Sequence, residues 1–368
     1  MKIEIEKKEL LNLIGKTQNI VEKRNTMPIL VNILLDAEND ELKVFATDLE
    51  VSLTDAVKAK VQTPGKAAIS AKKLFEIVKE LSDGPIKLFK KENNWLTVEQ
   101  GKYKSQIIGV NPEEYPIFPT NNTHNFLKID SQILKDMIDK TLYSISNDET
   151  RYYLNGVFFE ISPNTGLKMV ATDGHRMSLV SKPNIETKTQ VQQGVIIPRK
   201  GLFEIKKVLE SVDNSVEISV DGSQFILKNN STTLMIRLIE GKYPNYQQFV
   251  PTKLTQKLLV NRKAFLSSIK KVSMLANEKS KAIQINLSNG KMEIVSNNPE
   301  MEGAKDEIEV DYKGNDIKIG FNARFIQDIL NSISQDQIDF ELNDQLSPGL
   351  MRPHEDTSYT CVIMPMRI

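Results

Sequence analysis

Residues 72–77 read Lys-Lys-Leu-Phe-Glu-Ile, and residues 199–205 repeat them closely as Arg-Lys-Gly-Leu-Phe-Glu-Ile. The shared Leu-Phe-Glu-Ile recurs 128 positions along the chain, and Tyr115-Pro116 returns as Tyr243-Pro244 at the same offset. An internal repeat has to be recognised before any motif is assigned, because it sets the number of structural units. The repeat predicts that one unit of about 120 residues is used more than once.

A second repeated motif extends the pattern to three units. Ala46-Thr47-Asp48 matches Ala171-Thr172-Asp173 at an offset of 125, and Ser296-Asn297-Asn298 lies another 125 positions on. Pro-rich and Asn-rich segments at 111–125 and 241–253 separate the units, since proline disfavours helix at its own position and the one before. The 368 residues also exceed the usual size of a single core. We predict three domains, with residues 1–122, 123–252 and 253–368.

Each unit shows the same order of hydrophobic patterns. Apolar residues at helical spacing predict a first amphipathic helix near 10–21, 133–138 and 265–272. A second helix is predicted at 72–81, 200–209 and 323–333. Alternating or fully apolar stretches between and after the helices predict strands, for example at 29–35, 156–161 and 282–287. The predicted fold class is therefore α+β, with two helices packed on antiparallel sheet in each of three repeated units.

The composition excludes several classes of protein. The chain is 40% hydrophobic and 26% charged, which is typical of globular proteins. No stretch approaches the roughly 20 apolar residues that cross a bilayer, and the charged start is unlike a signal peptide, so we expect a cytoplasmic protein without membrane contact. The single cysteine, Cys361, excludes an intrachain disulfide framework, and we expect it to serve packing.

The distribution of charge is more informative than its sum. Basic and acidic residues both number 48, yet the six predicted helices together carry +10 and the remainder of the chain −10. Any one charged helix is ordinarily a solvated face. Taken together, however, the helices would form a positive surface that attracts phosphate, while the sheets would repel it. Phosphate contacts carry no sequence information, so such a protein would hold DNA without reading it.

Two motifs suggest catalysis, and neither meets its requirements. Gly15-Lys16-Thr17 resembles the end of a phosphate loop, but Leu10 stands where that loop needs glycine. Residues 173–176 (Asp-Gly-His-Arg) contain acid and base types, but the three histidines lie in three different units and no CxxC, HExxH or GxSxG is present. We therefore predict no catalytic residue, no metal and no cofactor. Two alternatives stay open, a multi-repeat protein-binding scaffold and a Mg-dependent DNA-processing hydrolase.

Six further segments lie in order along the chain: RYYLNG at 151–156, ATDGHR at 171–176, PRKG at 198–201, NEK at 277–279, IGFN at 319–322 and MPMR at 364–367. In sequence, order and spacing they resemble the segments of a known family, the bacterial replicative sliding clamps, which are the beta subunits of DNA polymerase III. The resemblance implies a head-to-tail dimeric ring whose helices line a central hole around duplex DNA. It implies a processivity subunit that tethers the DNA polymerase III catalytic subunit, is loaded by an ATP-driven clamp loader, and performs no catalysis.

The resemblance also implies three sets of site residues. The expected DNA-binding residues are Arg24, Lys72, Lys73, Arg151, Tyr152, Tyr153, Arg199 and Lys200. Other polymerases and repair factors would insert a short peptide into a hydrophobic pocket formed by Leu154, Thr172, Gly174, His175, Arg176, Met177, Pro244, Pro348, Val362, Met364, Pro365, Met366 and Arg367. Met274 and Leu275 would lie at the dimer interface.

Two departures from the family pattern concern these sites. Asn147-Asp148 replaces a His-Gln pair that helps to contact DNA in the best-known clamp, so this contact is expected to differ. Gln247-Gln248-Phe249 stands where many relatives carry a basic residue followed by a smaller apolar one, so the rim of the pocket is expected to differ in charge and shape.

Overall fold

The structure is a computed structural model, and it describes residues 1–21, 27–116, 125–163, 166–183, 194–297 and 303–367. Arg24, one of the expected DNA-binding residues, lies outside the described residues. The expectation of an α+β fold with two helices in each repeated unit is confirmed.

Six α-helices occur within the described ranges, and their bounds follow the amphipathic patterns. They are α1 (Lys7–Gly15), α2 (Ala71–Glu80), α3 (Ser131–Asp139), α4 (Arg199–Glu210), α5 (Arg262–Ser273) and α6 (Ala323–Ser332). Side-chain oxygens cap several of them, since the first backbone N–H groups of a helix have no partner inside it. Asn261 accepts from Ala264 N–H at 3.0 Å, and Asn322 accepts from Arg324 N–H at 2.9 Å.

One helix is shorter than its hydrophobic pattern predicts. The apolar spacing continued to Val21, but α1 ends at Gly15 and the chain turns through Thr17. The Thr17 hydroxyl donates to the Ile14 carbonyl at 2.7 Å and so satisfies a backbone acceptor that the missing next turn would have used. The Gly-Lys-Thr triplet is therefore the end of a helix.

Many strands of the described residues alternate buried and more exposed side chains, and a few are buried over most of their length. In chain order the first twelve are β1 (Lys2–Glu6), β2 (Asn32–Glu38), β3 (Glu41–Thr47), β4 (Val51–Lys58), β5 (Lys60–Thr63), β6 (Gly65–Ser70), β7 (Pro85–Lys90), β8 (Leu96–Gln100), β9 (Tyr103–Ile107), β10 (Gly109–Val110), β11 (Leu127–Asp130) and β12 (Gly156–Ser162). The next seven are β13 (Gly166–Thr172), β14 (Arg176–Lys182), β15 (Val195–Pro198), β16 (Ser215–Asp221), β17 (Gln224–Asn229), β18 (Thr232–Arg237) and β19 (Gln256–Asn261). The last seven are β20 (Ala282–Ser288), β21 (Lys291–Asn297), β22 (Gly303–Glu309), β23 (Ile317–Asn322), β24 (Gln337–Leu342), β25 (Gly349–Pro353) and β26 (Tyr359–Ile363).

These strands form four antiparallel sheets. The largest has nine strands in the order β10-β6-β2-β3-β4-β18-β17-β16-β11, and the next has eight in the order β15-β12-β13-β14-β26-β25-β24-β19. Two smaller sheets have the orders β5-β1-β7-β8-β9 and β22-β21-β20-β23. Every neighbouring pair of strands is antiparallel, as the alternating pattern predicted.

The chain packs into two compact units, each of which contains parts of more than one sequence repeat. One unit holds Met1–Ile133 with Lys200–Leu238, and the other holds Leu134–Arg199 with Ile239–Ile368. The physical reason is strand pairing, because the second repeat contributes β18 beside β4 in one sheet and β14 beside β26 in another. The predicted domain boundaries at 122 and 252 describe sequence repeats and stay a prediction.

The core consists mainly of aliphatic side chains with several buried aromatic rings among them. In β20, Ile283, Ile285 and Leu287 are buried while the residues between them are partly exposed. Cys361 is buried as a free thiol. Within the described ranges, no helix has the length and apolarity to cross a membrane.

Candidate functional site

Residues 172–176 form a tight turn between β13 and β14. The carboxylate of Asp173 accepts from the N–H groups of His175 and Arg176 at 2.9 and 3.0 Å. The Thr172 hydroxyl donates to the Arg176 carbonyl at 2.6 Å and accepts from Gly174 N–H at 3.1 Å. Gly174 has a φ of 89°, which other residue types rarely adopt. The acid and base types of this motif are thus engaged in building a turn.

The guanidinium of Arg176 fastens this turn to its surroundings. Its Nε atom lies 3.1 Å from the Asp173 carboxylate, and Nη1 lies 2.6 Å from that of Asp328. Nη2 donates to the Tyr143 carbonyl at 2.6 Å, and the Phe325 ring centroid is 4.4 Å from the guanidinium carbon. Because the side chain is almost fully buried and all three of its nitrogens donate a hydrogen bond, Arg176 positions the turn and offers little charge to a ligand.

An apolar cluster, here called the Leu154 cluster, lies beside the turn. Its buried members are Leu154, Val170, Met177, Ile196, Tyr243, Tyr246 and Val362. Three of them, Leu154, Met177 and Val362, belong to the predicted pocket, and Met177 lies opposite Val362 in the register of β14 and β26. The sequence analysis missed the other four, which are typical strand or turn hydrophobics with no chemical signature of a site. The adjacent Pro244 was the one signal that could have indicated Tyr243 and Tyr246.

The C-terminal segment runs next to this cluster. Met364 N–H donates to the His175 carbonyl at 2.9 Å, and Met366 N–H donates to the Gly320 carbonyl at 2.8 Å. Met364 is exposed, whereas Pro365 and Met366 are half-buried. The structure therefore brings the predicted methionines to the same edge as the 172–176 turn.

The remaining predicted pocket residues are Pro244, Pro348 and Arg367, and their positions follow from those of their neighbours in the chain. Pro244 is half-buried and lies between the cluster members Tyr243 and Tyr246. Pro348 is half-buried and precedes Gly349, which pairs with Ile363 across β25 and β26. Arg367 is exposed. Their part in a pocket stays a prediction.

A 3-10 helix over Glu149–Leu154 carries the expected Arg-Tyr-Tyr loop, and Asp148 caps it. Asp148 accepts from the N–H and hydroxyl of Thr150 at 3.0 and 2.6 Å, and from Arg151 Nε at 2.9 Å. Hydrogen bonds from Thr150 and Arg151 hold the pKa of the Asp148 carboxyl below its usual value, so it stays charged. The Arg151 guanidinium also reaches the turn, since a Cβ on Gly174 would lie 2.7 Å from Arg151 Nη1.

The two tyrosines of this loop differ in exposure. Tyr152 is exposed, while Tyr153 packs against the Leu154 cluster. An exposed tyrosine beside an arginine suits contact with a phosphate or sugar. Tyr153 is instead placed to flank the apolar cluster, so its expected role at DNA stays a prediction.

The expected DNA-binding cations at the helix starts are partly engaged within the protein. Arg199 donates from Nη2 to the Ile145 carbonyl at 2.7 Å. Lys200 forms an ion pair with the buried carboxylate of Asp48. Lys72 and Lys73 are both exposed at the start of α2, and Lys72 lies 3.5 Å from the Glu76 carboxylate four residues on.

The expected interface residues follow the end of α5. Met274 is 79% exposed and the neighbouring Leu275 is also exposed. The two residues thus offer exposed apolar surface, and their expected role at a dimer interface stays a prediction.

Comparison with known proteins gives consistent results along the whole chain. Three family models match it, the N-terminal domain of the DNA polymerase III beta subunit at residues 1–119, the central domain at 128–245 and the C-terminal domain at 247–367. The beta sliding clamp of Caulobacter vibrioides is 34% identical, with all of both chains covered.

Solved structures agree with the sequence matches. The crystal structure of the DNA polymerase III subunit beta from Pseudomonas aeruginosa has a TM-score of 0.96 at 32% identity, with full coverage of both chains. A sliding clamp from Bartonella birtlesii bound to griselimycin has a TM-score of 0.94 at 32% identity, again with full coverage.

Proposed function

This chain belongs to the DNA polymerase III beta subunit family, the sliding clamps, and from that premise we propose that it closes around duplex DNA as a head-to-tail homodimer. Clamps of this family are processivity factors in DNA replication. We assign this chain to the cytoplasm, without catalytic activity of its own. Its partners would be duplex DNA, the catalytic subunit of DNA polymerase III, a clamp loader, and other polymerases and repair factors.

The observation that carries the partner-binding function is the Leu154 cluster with the exposed Met364 at its edge. A short peptide that inserts one or two large apolar side chains there gains roughly 1.5–3 kcal/mol for each one buried. Methionine suits such a site because its flexible, polarizable side chain adapts to different ligands. The site therefore fits a clamp that several proteins must share.

Removal of residues 364–368 tests this site. The deletion takes away one wall and leaves the helices unchanged, so affinity for a partner peptide should fall at least tenfold, which requires only about 1.4 kcal/mol. Met366→Ala is a milder version of the same change.

A matched control is available, because Met27 is 42% exposed and Met364 is 40% exposed. Met364→Ala should weaken peptide binding, and Met27→Ala should not. Unchanged affinity after the deletion and after Met366→Ala, in folded dimeric protein, would place the site elsewhere.

Retention on DNA tests the ring. Binding through phosphate contacts weakens steeply with salt, because counterions compete for the backbone. A closed ring cannot leave a circle, so loaded protein should resist salt on nicked circular DNA and dissociate from linear DNA. Equal loss from both forms as salt rises would exclude encirclement.

Met274 and Leu275 would join the protomers by packing against a partly apolar groove of the other copy. A groove of about 500 Å³ lies in the unit that contains the first repeat, and Ile77, Leu81 and Tyr103 form its apolar part beside the polar residues Glu76, Glu80, Ser82 and Gln100. A head-to-tail contact joins two different surfaces, and two such contacts close a ring. Replacing both residues by alanine should give folded monomers in analytical ultracentrifugation. A double variant that stays dimeric at low concentration, or that unfolds, would contradict this role.

A further inference from the structure

A cavity of about 690 Å³, here called the α1/α4 cavity, is lined by side chains of both α1 and α4. Leu53 of β4 and Thr232 of β18 also line it, and these two strands pair with each other where the first and second repeats meet. Sites for one small organic molecule typically enclose about 300–1,000 Å³. The cavity therefore has room for a ligand of that size.

One part of the cavity lining is apolar. It is formed by Leu11 of α1, Leu53 of β4 and Val208 of α4. Leu53 and Val208 are buried, while Leu11 is half-buried. Hydrocarbon rings or chains placed against these side chains would leave water together with the exposed part of Leu11, and this transfer is favourable. The cavity thus suits a ligand with an apolar body.

Three lysines line the same cavity, and two of them are already neutralised. Lys16 Nζ lies 2.6 Å from the buried carboxylate of Asp55, and Lys207 Nζ lies 2.6 Å from the Glu204 carboxylate. Lys8 is exposed, and its ammonium group has no ion-pair partner among the residues that the structure describes. Three ammonium groups and two carboxylates leave one uncompensated positive charge. Charge complementarity therefore favours a ligand with a single negative charge.

We propose that the α1/α4 cavity binds a small organic anion that carries one negative charge on an apolar body. The apolar lining holds the body, and Lys8 binds the anionic group. Asn12 lies one turn after Lys8 on the same side of α1 and also lines the cavity, so its amide can donate to that group. The site is independent of the proposed partner-peptide site, because the two share no residue.

The test compares two fluorescent probes that have the same aromatic rings and differ in charge. Anilinonaphthalenesulfonate carries one sulfonate, and N-phenylnaphthylamine is neutral. In the full-length protein, Lys8→Gln should weaken binding of the anionic probe about two- to fivefold, which is the range for an exposed ion pair, and should leave the neutral probe unchanged. Leu11→Asn should weaken both probes about tenfold, because it removes apolar lining without adding charge.

Lys79→Gln is the matched control, since Lys79 is an exposed helical lysine that does not line the cavity. It should leave both affinities unchanged. Deletion of residues 364–368 should preserve the difference between wild type and Lys8→Gln, which separates this site from the partner-peptide site. Unchanged binding of the anionic probe to Lys8→Gln, equal loss of both probes in that variant, or disappearance of its effect after the deletion would overturn the inference. Circular dichroism checks the fold of each variant, and if Leu11→Asn unfolds, the Lys8→Gln comparison alone decides.

Discussion

Replacement of Arg176 by methionine removes the guanidinium that holds the 172–176 turn and keeps most of the aliphatic stem. Three hydrogen bonds are lost, two to carboxylates and one to the Tyr143 carbonyl. Hydrogen bonds to charged groups contribute about 1.5–3 kcal/mol each, and breaking a buried ion pair on one side costs about 3–5 kcal/mol.

The solvent exposure of Asp173 and Asp328 decides where in the range of about 3–5 kcal/mol the loss in the free energy of unfolding falls. The side chains of Asp173 and Asp328 are 16% and 29% exposed, so water can partly solvate both carboxylates once Arg176 is gone. We therefore expect the lower end, a loss of about 3 kcal/mol in the free energy of unfolding. Since native domains are stable by about 5–15 kcal/mol, the variant should still fold.

Urea unfolding followed by far-UV circular dichroism measures this loss. Arg367→Met is the matched control, because Arg367 is exposed and its replacement should change the free energy of unfolding by less than about 0.5 kcal/mol. A loss below about 1 kcal/mol for Arg176→Met would refute the reasoning, since it would mean that the three hydrogen bonds are no better than those to water.

Three further predictions follow from buried or paired charges. Asp55→Asn should lower the free energy of unfolding by about 1.5–3 kcal/mol in urea titration, because the buried Asp55 carboxylate lies 2.6 Å from the Lys16 ammonium; a neutral result would contradict a structural ion pair. Burial raises the pKa of the Cys361 thiol, so the folded state keeps a proton that the unfolded chain loses above about pH 8.5. The contribution of Cys361 to the free energy of unfolding should be constant below that pH and should fall by about 1.4 kcal/mol per pH unit above it, until the folded pKa is reached. Denaturation at several pH values should show that Cys361→Ala removes this part of the dependence of the unfolding free energy on pH. Asp148→Asn should release Arg151 and raise the low-salt affinity of unloaded protein for duplex DNA, with a salt slope steeper by about 1; an unchanged slope would show that Arg151 does not reach phosphate.

The repeats in the sequence predicted the number and kind of secondary-structure elements well. Both copies of Leu-Phe-Glu-Ile lie in a helix, α2 or α4, as the spacing of their apolar residues indicated. Equal sequence did not give equal surroundings, however. Glu76 is exposed and lies near Lys72, whereas Glu204 is buried and pairs with Lys207 at 2.6 Å. A tetrapeptide determines local conformation, but the units packed around it determine burial.

Strand pairing between repeats could not be predicted from the sequence. The pairs β4 with β18 and β14 with β26 join strands far apart in the chain, and any two strands with one apolar face satisfy the same pattern. The same limit applies to the site. Val170 and Ile196 look like ordinary strand residues, and only the pairing of β12, β13, β14 and β15 brings them beside Leu154.

The net positive charge of the helices is smaller in the structure than the count from the sequence suggests. The predicted excess of +10 counts only helical residues, but several of these cations lie against carboxylates on neighbouring segments. Five such ion pairs are Lys7 with Asp83, Lys16 with Asp55, Lys200 with Asp48, Lys263 with Asp336 and Lys271 with Asp306. Including these five carboxylates brings the local excess from +10 to +5 for each chain. Each phosphate contact that is not made removes about 0.9 from the magnitude of the slope of log affinity against log salt, so direct binding should be weaker than the count of helix charges implies.

Weak phosphate contacts suit a clamp that must move along DNA, and they make retention depend on the closed ring. The difference in retention between circular and linear DNA, rather than the dissociation constant for direct binding, therefore measures how well this protein works as a clamp.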